Sequence, residues 1–268
     1  MEKIINGNRT VAFLDILGFG QMVDSIPLDE LSKKYEKLID KLEYLIWPLD
    51  KTKNHPTLFP EHQHYSPWCI KNIYSDSIIL ISLDESLMSC LKLLIYSWRL
   101  TQVCLSAQMP VRGAITFGEI YINQNKNITL GKALTDAHKL EREQQWIGVS
   151  INDNMEKSLP ELFQKIRDIP ILSNIFLKYE VPFKDKPKKL LHTLNWRWNV
   201  VIEKGTRSLF SNSKDQSIKE KVANTLDYAK SVVDSGQIYV KDQGNLPTEL
   251  RSFFVGDSEP PFTHGDDL

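Results

Sequence analysis

Cysteine is scarce in this chain: the 268 residues include three, Cys69, Cys90 and Cys104, with no two at CxxC spacing. An odd and scattered set excludes a disulfide framework, and it predicts buried thiols in a reducing, cytoplasmic setting. Long apolar runs are also missing. None approaches the roughly 20 residues of a membrane span, and the opening MEKIINGNRT carries no signal-like apolar stretch. Neither sign of charge dominates, with 33 Lys plus Arg against 34 Asp plus Glu. A chain so balanced lacks the overall basic footprint of a duplex-binding protein, so neither nucleic acid nor membrane is expected as a partner. His55, His62 and His64 lie close together, but among Pro56, Pro60 and Pro67 and with no cysteine to complete a usual zinc set. A loop is expected there.

What is present reads as an ordinary globular protein, 41% hydrophobic and 25% charged. The run VAFLDIL predicts a buried strand over 11–17, ended by Gly18-Phe19-Gly20. Leu31, Tyr35, Leu38, Leu42, Leu45 and Ile46 recur at helical spacing and predict a helix over 28–46, ended by Pro48. WCIKNIYSDSIILISL predicts a hairpin turning at Ser75-Asp76-Ser77, and a long helix is predicted from Asp84 to Gln108. VRGAITFGEIYI predicts a strand whose two glycines suggest a bulge or a close backbone approach. KALTDAHKLERE, after Gly131, predicts a short helix, and WIGVSI a further strand. Strands and helices in this order suggest a mostly antiparallel sheet covered by helices. From about Leu159 the pattern changes to proline-punctuated apolar segments, then a strand in LHTLNWRWNVVIE and a helix in SIKEKVANTLDYAKSVVDS. KDKPKK, 184–189, reads as a solvated loop, Trp196 and Trp198 as one face of a strand covering the core, and GDSEPPFTHGDDL as a disordered tail.

Two carboxylates stand where burial is costly. Asp15 closes an apolar strand, and Asp76 sits between two others. A lone buried carboxylate costs several kcal/mol or more, and two adjacent ones raise each other's pKa. Divalent cations between them remove the conflict and create a site for triphosphate. Gly18 and Gly20 let the backbone come close to phosphate oxygens. Each feature alone is an ordinary turn; their order and spacing carry the weight.

At this point the chain resembles the class III nucleotidyl cyclases. Their first-strand motif FxDIxGF reads here Phe13-Leu14-Asp15-Ile16-Leu17-Gly18-Phe19. Asp76 takes the place of the second metal-binding aspartate, VRGAITFG echoes a later strand, and Gly131 to Leu140 matches the GxxVNxAxRL helix in outline. Within the family the closest likeness is to the pyrimidine cyclases of bacterial Pycsar anti-phage systems, carried by GKALTDAHKLEREQQWIGVSI and KEKVANTLDYAKSVV. The resemblance implies an α+β fold: a ferredoxin-like cyclase core over 9–158, an α/β extension over 159–254 packed on it, and a tail over 255–268. It also implies conversion of UTP or CTP to the 3′,5′-cyclic monophosphate and pyrophosphate in a homodimer with sites at the interface. The product would activate a separate effector in anti-phage defence. Two Mg²⁺ or Mn²⁺ ions would be held by Asp15, Asp76 and the Ile16 carbonyl, with the amides of Leu17, Gly18, Phe19 and Gly20 toward the phosphates.

The departures from the family matter as much. Where purine cyclases carry a transition-state Asn and Arg, this chain has Thr135 and Lys139, which leaves Arg112 as the first candidate to share that role. The base-reading position is Asn72, and its partner is Ile128, a pair that matches neither purine signature. An amide suits uracil or cytosine equally; UTP is favoured because uridylate members are expected to be the commoner. Tyr65, Trp68 and Tyr74 lie near this strand and are expected to pack rather than stack on the base. The alternatives are an adenylate cyclase with an atypical pocket and a catalytically silent module that dimerises or binds nucleotide.

Overall fold

The computed structural model describes residues 4–46, 69–196 and 216–235. His55, His62, His64, Tyr65, Trp68, Trp198 and the segment 255–268 lie outside them. Strand β1 (Ile4–Ile16) runs alongside β4 (Val111–Asn123) through an unbroken antiparallel register from Ile4↔Asn123 to Ile16↔Val111. It is longer than the apolar run suggested, because its first residues alternate exposed and half-buried and carry no apolar signal. The sheet adds the hairpin β2 (Cys69–Tyr74) and β3 (Ser77–Ser82), the short β5 (Ile128–Leu130) and β6 (Val149–Ile151), and the hairpin β7 (Phe176–Phe183) and β8 (Lys186–Leu194). Its order is β2-β3-β1-β4-β6-β8-β7, with β5 on the far end of β4. The one parallel pairing among the described residues, β4 with β6, is bridged by the crossover helix α4 (Lys132–Glu143).

Helices α1 (Phe19–Ser25), α2 (Leu28–Ile46) and α3 (Leu87–Ser106) belong to the first half of the chain. The start of α3 falls three residues after the predicted Asp84, because the Ser86 side chain caps it by accepting from the Ser89 amide. Every residue of α3 from Ser89 to Leu105 except Lys92 is buried, so burial is not confined to a stripe. Its polar residues tolerate this by turning inward: Ser97 Oγ donates to the Leu93 carbonyl at 2.9 Å and Thr101 Oγ1 to the Ser97 carbonyl at 2.8 Å. Ala12, Leu14 and Ile16 of β1 meet α3 on one face of the sheet, and Val11 and Ile81 meet Ala133 of α4 on the other. The three cysteines are buried and free, as expected.

Beyond residue 158 the short helices α5 (Asp153–Ser158), α6 (Pro160–Asp168) and α7 (Pro170–Ile175) lead into β7. Leu162, Phe163 and Leu172 fill the same core as Leu14, and β8 pairs with β6 through Ser150↔Thr193 and Ile151↔His192. KDKPKK is a correction to the sequence reading. The turn is confined to Lys184 and Asp185, which has φ 52°, and Lys186 to Lys189 are already the exposed start of β8. Trp196 is fully buried but lies just past the end of β8. It joins Trp146 and Tyr228 of α8 (Gln216–Asp234) in a separate aromatic core. Among the described residues, no helix is long and apolar enough to cross a membrane.

The glycines of β4 make no bulge, since the register runs through both. At Gly113 a Cβ would stand 2.7 Å from the Phe13 carbonyl, a close approach; at Gly118 the nearest neighbour is an ordinary 3.8 Å away. Gly131, at the foot of α4, has φ 153° and would place a Cβ 2.5 Å from the Glu119 carbonyl. It lets the helix start directly against β4.

Candidate active site at the end of β1

Asp15 and Asp76 are brought together. The Ile16 amide donates to the Asp76 carbonyl at 2.8 Å, and the Leu17 amide to the Pro110 carbonyl at 2.8 Å, so the end of β1 is stitched to the β2–β3 turn and to the start of β4. Ser75 enters that turn at φ 55°, and the Tyr35 hydroxyl of α2 donates to its carbonyl at 3.1 Å. Tyr35 is itself set edge-on to Phe19 of α1, centroids 6.1 Å apart. Gly18 precedes α1 at φ 77°, a left-handed conformation that glycine takes without strain.

The register puts Asp15 in a row with Ser77 on β3 and Arg112 on β4, on the sheet face that α4 covers. Phe13, one pleat away on the same face, meets His138 of α4 with ring centroids 5.0 Å apart. Arg112 is buried and points its Nε at Glu141 Oε1 of α4, 2.5 Å away, with Nη2 on the same oxygen. Its Nη1 donates to the Gln144 carbonyl at 3.4 Å. Burial, then the negative charges of Glu141 and Asp76, push the Asp15 carboxyl up to about 6, against the opposing charges of Arg112 and Lys221. Glu141 was not foreseen from the sequence; its signal is an acid on the inward face of α4, one turn after the buried Ala137.

The remaining candidates spread around this centre. Asn72 is half-buried on β2 opposite Ile79, in the row that holds Phe13 and Ala114. Tyr74 is exposed rather than packed, and its hydroxyl donates to Asn127 Oδ1 at 2.9 Å, which joins the end of β2 to the turn before Ile128. Thr135 is exposed on α4, its hydroxyl donating back to the Gly131 carbonyl at 3.1 Å. Lys139 lies on the flank of α4 away from His138. There it lines a groove of about 560 Å³ shared with Lys132, Asn152, Lys186 and Lys188. One chain therefore gathers Asp15, Asp76 and Arg112 and leaves Lys139 facing elsewhere.

Asp15 and Asp76 fit a hard dication. Among the described residues no group of three or more His, Cys, Asp or Glu side chains is placed to hold a metal, and these two carboxylates are what the end of β1 offers. Magnesium is commonly held in this way, by one or two carboxylates completed by substrate phosphates and water.

No family model and no curated protein matches the sequence. The fold does have relatives. A guanylyl cyclase domain of the RhoGC fusion protein from the aquatic fungus Blastocladiella emersonii superposes with a TM-score of 0.50 at 11% identity, over 72% of this chain and 98% of that one. A weaker likeness is to the adenylyl cyclase CyaB from P. aeruginosa (TM-score 0.45, 10% identity, 72% and 96% covered). The guanylate cyclase domain of RhGC from Catenaria anguillulae, in complex with GTP, is similar at the same level (0.45, 11%, 72% and 98%). The chain thus has the α+β fold of the class III cyclase domains.

Proposed function

We propose that this protein is a metal-dependent nucleotidyl cyclase acting on a pyrimidine nucleoside triphosphate, UTP or CTP, with UTP favoured. The observation that carries the reading is the meeting of Asp15 and Asp76 at one end of the sheet, their backbones tied together by the Ile16–Asp76 hydrogen bond, on a cyclase fold. Two Mg²⁺ or Mn²⁺ ions at these carboxylates would supply charge for the triphosphate and a lowered pKa for the ribose 3′-hydroxyl. Asp15, Asp76 and the Ile16 carbonyl would hold them, and the amides of Gly18, Phe19 and Gly20 would face the phosphates; the Leu17 amide, expected to join them, is instead taken by the Pro110 carbonyl. The 3′-oxygen attacks the α-phosphorus, its proton passes to solvent, and pyrophosphate leaves. Asn72 would offer its amide to the base, with Ile128 at the partner position.

Lys139 and Thr135 would serve a second copy's site, since neither is turned toward Asp15 of its own chain. That division supports a homodimer with two sites. The cyclic product would act on a separate effector, and a role in anti-phage defence in the cytoplasm follows from the resemblance to the Pycsar cyclases. A catalytically silent module is the second reading, favoured by one observation: Arg112 is already committed to Glu141.

The test is to incubate the full chain with Mn²⁺ or Mg²⁺ and each of ATP, GTP, CTP and UTP, and to identify products by mass. A cyclic pyrimidine monophosphate is expected. A cyclic purine product would keep the mechanism and overturn the role given to Asn72. No product from a folded dimer would favour the silent module.

A further inference from the structure

Helix α8 is held against the site by its own side chains. Asn224 Nδ2 donates to the Gln145 carbonyl at 2.6 Å, the Ile147 amide donates to Thr225 Oγ1 at 2.8 Å, and Gln145 Nε2 reaches Ser217 Oγ at 3.3 Å. These bonds fix the rotation of α8, so Ser217, Lys221 and Thr225, spaced four apart, form the face turned to the 144–148 loop. Tyr228 continues that face into the aromatic core, with its ring centroid 4.9 Å from Trp146 and 4.8 Å from Tyr179.

The loop that α8 grips reaches the catalytic carboxylates. Gln144 receives Arg112 on its carbonyl and donates through Nε2 to the Gly113 carbonyl at 3.0 Å. Leu17, two residues after Asp15, packs into the same core as Tyr228. Lys221 is therefore carried to the Asp15 end of the sheet, half-buried and one helical turn from the Thr225 anchor, whose hydroxyl donates to its carbonyl at 2.6 Å.

We propose that Lys221 is a phosphate-binding residue of the site, its ammonium placed by the docking of α8 to take the triphosphate held at Asp15 and Asp76. The proposal rests on the cyclase reading above. A lysine on a flexible stem is a mobile point charge, suited to following phosphate oxygens as pyrophosphate separates from the ribose. It would make α8 a contributor to catalysis and not only a brace.

The experiment reads phosphate binding without requiring turnover. Inorganic tripolyphosphate with Mg²⁺ is titrated calorimetrically into the full-length wild type, Lys221→Met, Lys221→Arg and, as a control, Lys219→Met, an exposed lysine of the same helix. The expected result is about a tenfold loss for Lys221→Met, at the scale of one charge-assisted contact. Lys221→Arg should stay near wild type, and Lys219→Met should be unchanged. A Lys221→Met protein that binds tripolyphosphate like the wild type, whether or not its melting temperature falls, overturns the proposal and leaves the cyclase reading standing. A wild type that binds none overturns both.

Discussion

The Ile16 amide and the Asp76 carbonyl lie 2.8 Å apart, and this one hydrogen bond ties the last residue of β1 to a turn far along the chain. It sets two carboxylates beside each other at the edge of a packed sheet. Proximity of that kind is unfavourable until a cation arrives, and the energetic consequences can be measured.

Asp15 carries the cost. Its carboxyl is raised to about 6 from 3.8, so its contribution to stability is complete below pH 3.8 and is lost as the pH rises through 6. Asp15→Asn is expected to stabilise the metal-free protein at pH 8 by about 1 kcal/mol, after discounting for the solvent screening of a half-exposed group. In calorimetry the melting temperature should rise by a few degrees. The same variant should lose the stabilisation that Mn²⁺ gives the wild type, and all cyclic nucleotide product. An Asp15→Asn protein that melts lower than wild type without metal would show that burial and the neighbouring carboxylates do not strain Asp15.

Arg112 and Glu141 form the charged pair most deeply enclosed near the site. Glu141→Ala leaves a buried guanidinium with one long bond to a carbonyl, and a loss of about 3–5 kcal/mol is expected. Removing both charges in Arg112→Met with Glu141→Leu should recover most of that loss, because the burden is the unpaired charge. Urea titrations of the three proteins give the comparison.

Gly131→Ala tests the seat of α4. The new Cβ would fall 2.5 Å from the Glu119 carbonyl and 2.6 Å from Ile120 Cα, both backbone atoms that cannot swing aside. A destabilisation of about 2 kcal/mol or more is expected. Activity should fall further than stability explains, since α4 carries Thr135, Lys139 and Glu141. An alanine protein with unchanged melting and turnover would refute the close packing.

His192 sets an acid limit on the second half of the sheet. Burial holds its pKa down to about 4; Glu156, 3.4 Å away, opposes this, and Lys178 and Arg167 add to it. The stability it contributes is complete above the unfolded value of 6.5 and is lost as the pH falls toward 4. The melting temperature should drop over that interval and drop less in His192→Gln. Working in an Asp15→Asn background removes the opposing trend of Asp15. Parallel pH profiles for the two proteins would rule His192 out.

Where one face of an element met water and the other the core, the sequence was legible. Helix α2 spans Leu28–Ile46 and α4 spans Lys132–Glu143, the ranges their apolar spacing predicts. Elements exposed on both sides left no such trace: the outer half of β1, the three residues of β5 and the first five of β8. In the site, Asp15 and Asp76 stood out because charge at the end of an apolar run is conspicuous. Glu141 did not, since an acid on an amphipathic helix looks solvated until Arg112 is seen beneath it. Gln144 was invisible for a related reason: its bonds to Gly113 and Arg112 depend on a loop meeting a strand 31 and 32 residues away in the chain, and no local pattern encodes that.

The short strand β6 has one more consequence. Its three residues hold β4 on one side and β8 on the other, and the helices that follow fill the core behind β1. A chain cut after Ser158 would bare the backbone of Ser150 and Ile151 as a raw edge and strip the apolar cover from Leu14 and α3. Such an edge is a template for pairing with other chains. A chain ending at Ser158 is thus expected to precipitate when made alone, and the residues that follow serve as its built-in protection against aggregation.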